Sequence, residues 1–250
     1  MRLRAYWTAA REPRYSLLFA LPLLLLYEGL SFGMTRSAFA GVRNGADVLL
    51  KTAFLALGGR HGVALFTLVV LGAGGWFVWR DRRRHPGPLA RRYFLGMLGE
   101  SVGYAVLFGG VASALTMLLL HPTLAAVQGG TSAGGGVASL SLGGQLVISL
   151  GAGIYEELLF RVLLVSGLTS LGIALGWRRP VAVGAALVLS ALIFSGFHYV
   201  GPYGDTLTPA SFTYRAVAGL LLSGLYVARG FGITAWTHAL YDVGLALLGS

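Results

Sequence analysis

The chain has 250 residues, 56% of them hydrophobic and only 11% charged, and a mean hydropathy of +0.73. Soluble domains carry roughly 25% charged residues, so these figures exclude an ordinary soluble domain, and long unbroken apolar runs exclude a transmembrane barrel. With no cysteine, disulfides, thiolate metal sites and cysteine nucleophiles are excluded too, and the net charge of +10 reads as helix-end Arg and Lys facing anionic lipid rather than nucleic acid.

The expected fold class is all-α: a polytopic transmembrane helical bundle of seven or eight spans. Residues 1–15 form a basic lead with Arg2, Arg4, Arg11 and Arg14. Span one covers 16–34 and contains Pro22 and Glu28; no small-residue cleavage site follows Leu30, so it is expected to remain as the first span. Residues 46–58 are apolar but short, with Asp47 and Lys51 near their start, and predict an interfacial or re-entrant helix. Span two, 62–79, stops at Arg80-Asp81-Arg82-Arg83-Arg84, and Arg91-Arg92 precede span three, 94–120. A stretch from Gly129 to Gly144, rich in Gly, Ser and Ala, predicts a linker. It separates an N-terminal region, 1–140, with three spans plus the interfacial helix, from a motif-bearing helical core, 141–250.

In that core, span four covers 145–171 and Arg178-Arg179-Pro180 make a short loop before span five, 181–200. A turn with Pro202, Gly204, Asp205 and Pro209 leads to span six, 211–228, and span seven, 231–249. In this arrangement the lead, the 80–92 loop, Arg178, Arg179 and Arg229 share one side. Arg36, Arg43, Lys51, Arg60 and Arg215 share the other. The first side is far more basic, which predicts a cytoplasmic N-terminus.

Span four carries Gly153-Ile154-Tyr155-Glu156-Glu157-Leu158-Leu159-Phe160-Arg161. Charges at such depth are costly and mark function or a paired structural network. Glu157 and Arg161 stand at i,i+4 and can pair; Glu156 has no local partner and is the candidate working carboxylate. The competing reading makes all three one structural network. His61, His85 and His121 lie at span edges and read as solvated. His198 lies one turn beyond Phe194 in span five, and His238 and Asp242 stand at i,i+4 in span seven. Three spans thus bring carboxylates and imidazoles into the apolar interior. A Glu beside a His can take a proton from water and return it to a leaving amine. A second His, oriented by a carboxylate, can donate to an oxyanion. Those parts suffice for amide hydrolysis.

In this order, Glu156-Glu157-xxx-Arg161, Phe194-xxx-His198 and His238-xxx-Asp242 resemble the CPBP intramembrane proteases, also called the Abi or CAAX-protease-like family. The resemblance covers about 145–249. It implies a glutamate-dependent intramembrane endopeptidase in which Glu156 and His198 activate water and His238 and Asp242 form the oxyanion site, with Glu157, Arg161 and Phe194 in support. It implies no cofactor; the alternative is zinc at Glu156, His198 and His238. Position 242 is often Asn in the family, and an ionised Asp cannot donate to an oxyanion, so Asp242 is expected to orient His238. The expected partners are the lipid bilayer and a membrane protein or lipidated peptide, such as a C-terminal sorting tail. A composition rich in Ala, Gly and Arg points to a bacterial inner membrane. A different class of function, a proton-coupled transporter or an immunity or scaffold protein, could use the same buried cluster.

Other protease chemistries fit poorly. No HExxH and no GxGD occurs. Ser195-Gly196 lacks the preceding glycine of a rhomboid-like GxSG, since Ile193 stands there. Ser195→Ala is therefore expected to leave proteolysis intact, measured by loss of full-length substrate in membranes that carry the variant.

Overall fold

A computed structural model describes residues 3–34, 42–120, 135–201 and 204–249. Among the described residues every regular element is a helix, as the composition predicts. They are α1 (Leu3–Ala9), α2 (Pro13–Met34), α3 (Gly45–Gly58), α4 (Gly62–Arg84), α5 (Arg91–Leu119), α6 (Leu142–Ala174), α7 (Arg179–Phe197), α8 (Pro209–Arg229) and α9 (Phe231–Leu248). Arg36, His121, Pro202 and the linker residues 129–134 lie outside the described residues. The rest of that linker is partly ordered into helix: one turn forms at Gly135–Ala138, and α6 starts at Leu142, earlier than expected.

Local sequence sets the starts and stops. Asn44, Ser141 and Thr208 cap α3, α6 and α8, their side-chain oxygens accepting from the backbone N–H of Ala46, Gly144 and Ser211. Pro180 and Pro209 occupy first turns, where no backbone donor is needed. Gly230, at φ 85°, reverses the chain between α8 and α9 in one residue, a conformation that side chains disfavour.

Among the described residues, six stretches are long and apolar enough to cross a bilayer: α2, the stretch holding α3 and α4, α5, α6, α7 and α8. Within the second, the chain doubles back. Phe54 and Phe66 meet with ring centroids 5.3 Å apart, and Gly62 packs against the backbone of Phe54 and Leu55. A continuous helix would hold those two rings about 18 Å apart. So α3, about 21 Å long, is a half-helix folded on α4. Large apolar side chains such as Leu68, Val106 and Leu118 face outward with at least 70% of their surface exposed. Lipid is the solvent that suits them, and the chain is an integral multi-pass membrane protein.

At 18 residues, α9 carries His238 and Asp242 and runs through the middle, packing on α2, α5, α6 and α8. Its start is anchored by close approach: Ser16 Oγ accepts from the Gly232 N–H at 2.8 Å, and any Cβ on Gly232 would lie 2.3 Å from the Ser16 carbonyl oxygen. Beside it, buried Arg229 grips both oxygens of Glu100 at 2.7 and 2.8 Å, and Tyr6 donates to the same carboxylate. The N-terminal segment and the later core share one apolar cluster, in which Leu23, Tyr27 and Phe66 meet Ile154, Tyr155 and Ala239.

Simple span limits put His198 and His238 at different depths. The helices reconcile them by unequal length. From Glu157, α6 runs on to Ala174, about 25 Å, whereas α9 has only about 10 Å between Phe231 and His238. The α6–α7 hairpin therefore projects past the start of α9, and the far end of α7 returns to the level of His238. α7 also stops at Phe197, three residues earlier than expected, because the chain turns there and Asp205 N–H caps the His198 carbonyl at 2.9 Å. His198 thus sits at a helix end.

Gly153 lets α6 lie against α9: a Cβ there would come within 2.5 Å of the Ala235 carbonyl oxygen and 2.6 Å of the Ala239 methyl. Gly153→Val is expected to lower stability by about 2–3 kcal/mol through overpacking, read as a lower midpoint in a thermal melt of detergent-solubilised protein.

Candidate active site

The carboxylates sit where α6 widens. Ala152–Glu156 and Leu158–Val165 are π-helical, a form that is rare and concentrated at functional sites. Glu156 and Glu157 are both buried, and they face different partners.

Glu157 is fully buried and holds two groups on one oxygen. Arg161 Nη1 lies 3.0 Å from Oε1, the expected ion pair, and His238 Nδ1 lies 2.7 Å from the same atom. Arg161 is fully buried as well. Its guanidinium stands 4.5 Å over the Phe194 ring and reaches the Gly219 carbonyl at 3.4 Å. Four helices, α6 to α9, therefore meet on this one pair. The link from Glu157 to His238 was not expected, since nothing in the chain order relates them. On its other side, His238 Nε2 lies 3.5 Å from Asp242 Oδ2, beyond a good hydrogen bond. The closer orienting partner of His238 is thus Glu157.

Glu156 points elsewhere. Its Oε1 accepts from Asn44 Nδ2 at 2.8 Å. Its Oε2 is buried without a hydrogen-bond partner and lies 3.8 Å from His198 Nε2. His198 donates from Nδ1 to the Phe194 carbonyl at 2.8 Å. That bond sets the tautomer and leaves the Nε2 lone pair facing Glu156 in the neutral ring. Phe194 binds the group together, with its ring 4.6 Å from that of His198 and 6.1 Å from that of His238. The structure therefore brings together every site residue expected from the sequence: Glu156, Glu157, Arg161, Phe194, His198, His238 and Asp242.

Two polar residues join that set. Asn44 comes from the start of α3, far away in sequence. Arg215, counted only toward the less basic side of the membrane, stands on α8, ion-paired to Asp205 and within electrostatic reach of Glu156 and Asp242. Ser195 is not part of the group; its hydroxyl donates to the Phe212 carbonyl at 2.7 Å. A separate cluster of Glu12, Asp81 and His85 could hold a metal by spacing. Arg14 already occupies it, 2.7 Å from Glu12 and 3.7 Å from Asp81. His85 is exposed, as expected, and its Nδ1 lies 3.1 Å from Asp81.

Residues 138–244 match the family model described as type II CAAX prenyl endopeptidase Rce1-like. That segment, somewhat under half of the chain, is similar to this family. The match bears out the resemblance to the CAAX-protease-like family, and that family is a protease family. It spans every site residue from Glu156 to Asp242 and does not reach Asn44. No curated protein and no solved structure matches the chain.

Arg161→Ala would strand Glu157 in a buried position with only His238 beside it. A loss of about 3–5 kcal/mol is expected for breaking such a pair, measured by thermal or denaturant unfolding in detergent.

Proposed function

We propose that this chain is an intramembrane endopeptidase that cleaves a membrane-anchored protein or lipidated peptide with a water activated by Glu156 and His198. The observation that carries the reading is the pair of bare acceptors: Glu156 Oε2, buried and unpartnered, and His198 Nε2, 3.8 Å apart. That gap is too long for a direct bond and suits one water donating a proton to each. A water held so has its lone pair free to attack an amide carbon. Glu156 takes the proton as the tetrahedral intermediate forms and returns it to the leaving nitrogen.

His238 supplies the donor for the oxyanion. With Nδ1 engaged by Glu157, a ring protonated on both nitrogens presents Nε2–H to the developing charge. Asp242, beside Nε2, steadies that protonated ring until the oxyanion replaces it. Glu157 and Arg161 hold the imidazole in place. No step requires a metal. Zinc on Glu156, His198 and His238 is the alternative use of the same donors, and it would supply a Lewis acid. The basic 80–92 segment supports a cytoplasmic N-terminus, and the composition rich in Ala, Gly and Arg supports a bacterial inner membrane.

Glu156→Gln is expected to abolish proteolysis, a loss of at least about 100-fold, with the melting midpoint retained. The check compares membrane proteomes of cells with the wild-type and Glu156→Gln proteins for a protein that stays full length only in the variant. Activity insensitive to chelators is expected alongside. Bound zinc together with loss of activity on chelation would favour the zinc reading. A cellular phenotype that survives Glu156→Gln would favour a binding or scaffold role.

A further inference from the structure

The part of the site outside the family match is a single side chain, Asn44, and its surroundings are built around it. Asn44 is 2% exposed and stands at the first position before α3. Its Oδ1 accepts from the Ala46 N–H at 2.9 Å, which starts the helix. Its Nδ2 donates to Glu156 Oε1 at 2.8 Å. Asp, Ser and Thr also start helices well. Asn differs in carrying an acceptor for the cap and a donor for the carboxylate on one short side chain. The helix cap alone does not require Asn; cap and carboxylate together do.

Room for this contact is made by glycine. A Cβ on Gly151 would lie 2.6 Å from both Asn44 Cβ and the Tyr27 ring, so the start of α3 can touch α6 only because position 151 has no side chain. A polar clamp then fixes the half-helix. Tyr27 accepts from the Asn44 N–H at 3.3 Å and donates to Asp47 at 2.7 Å. Lys51 bridges Asp47 at 2.6 Å and Glu28 at 2.9 Å. Tyr155, next to Glu156 on α6, donates to Glu28. The clamp links α2, α3 and α6, and Asn44 extends it into the cluster around Glu156.

We propose that Asn44 is a positioning residue for Glu156: by occupying Oε1 it leaves Oε2 as the oxygen that faces His198 and the substrate water. The half-helix α3 is then an arm that completes a site the family-matched segment does not complete alone. This rests on Glu156 being the base, as argued above.

The test uses the full-length protein in detergent or liposomes. The substrate is the one that stays uncut in Glu156→Gln membranes. Asn44→Asp and Asn44→Ser both keep a helix cap, but the first brings no donor and the second is too short to reach Glu156. Both are expected to lower kcat about 10–100-fold, the scale of a misplaced reacting group, with KM and melting midpoint near wild type for Asn44→Ser. Wild-type kcat in both variants would reduce Asn44 to a cap and overturn the proposal. A second measurement does not depend on proteolysis. Asn44→Asp sets two carboxylates against each other and is expected to lower the melting midpoint. Combining it with Glu156→Gln exchanges donor and acceptor across the same contact and is expected to recover most of that loss. An unchanged loss in the double variant would show that positions 44 and 156 do not touch, and the proposal falls. Recovery in the melt without any Glu156-dependent proteolysis in wild type would overturn the peptidase reading and, with it, a catalytic role for Asn44.

Discussion

The structure depends on one carboxylate oxygen. Glu157 Oε1 binds Arg161 and His238 at once, in a place where neither water nor lipid can solvate a charge. Each partner carries the contact to another helix. Arg161 reaches the α8 backbone at Gly219 and covers the Phe194 ring of α7, and His238 stands on α9. A buried ion left alone costs several kcal/mol, so these helices are held together by the penalty for separating them as much as by attraction. The apolar packing around the pair is not specific in this way, because lipid tails are as apolar as the side chains that face them.

Next to this structural carboxylate stands the one proposed to work. Glu156 and Glu157 are neighbours in the chain, yet they serve different sides of the bundle. Glycines allow the helices to come close enough for both. Gly151 admits the start of α3, Gly153 admits α9, and Gly219 admits the Phe194 ring on which Arg161 rests. Each glutamate has one oxygen engaged and one without a hydrogen-bond partner, and the bare oxygen of Glu156 is the one that lies 3.8 Å from His198 Nε2. On the proposed reading that is a division of labour: one charge is paired for stability and the other is held ready beside His198.

Much of this was readable in advance. Charged residues interrupting apolar runs name themselves, because the surrounding hydrocarbon makes each one an exception. Helical period then pairs Glu157 with Arg161 and puts His238 beside Asp242. The short length of 46–58 already argued against a full crossing, and α3 is a folded-back half-helix. What escaped was anything that depends on contact between distant parts of the chain. Asn44 looks like an ordinary helix-capping residue, because its second hydrogen bond crosses to α6. Arg215 looks like a charge near the end of span six, because only the packing of α8 on α7 brings it near the cluster.

By itself, then, the sequence determined the environment, the helical class and the identity of the groups able to do chemistry, since hydropathy, charge and local spacing are properties of short stretches. The tertiary structure alone decided that Glu157 also holds His238, that the Nε2 of His198 faces Glu156, and that a half-helix from the N-terminal region completes the cluster. Those choices follow from interhelical distances of a few ångströms, set by where glycine lets backbones approach and by how far each helix runs past its neighbour.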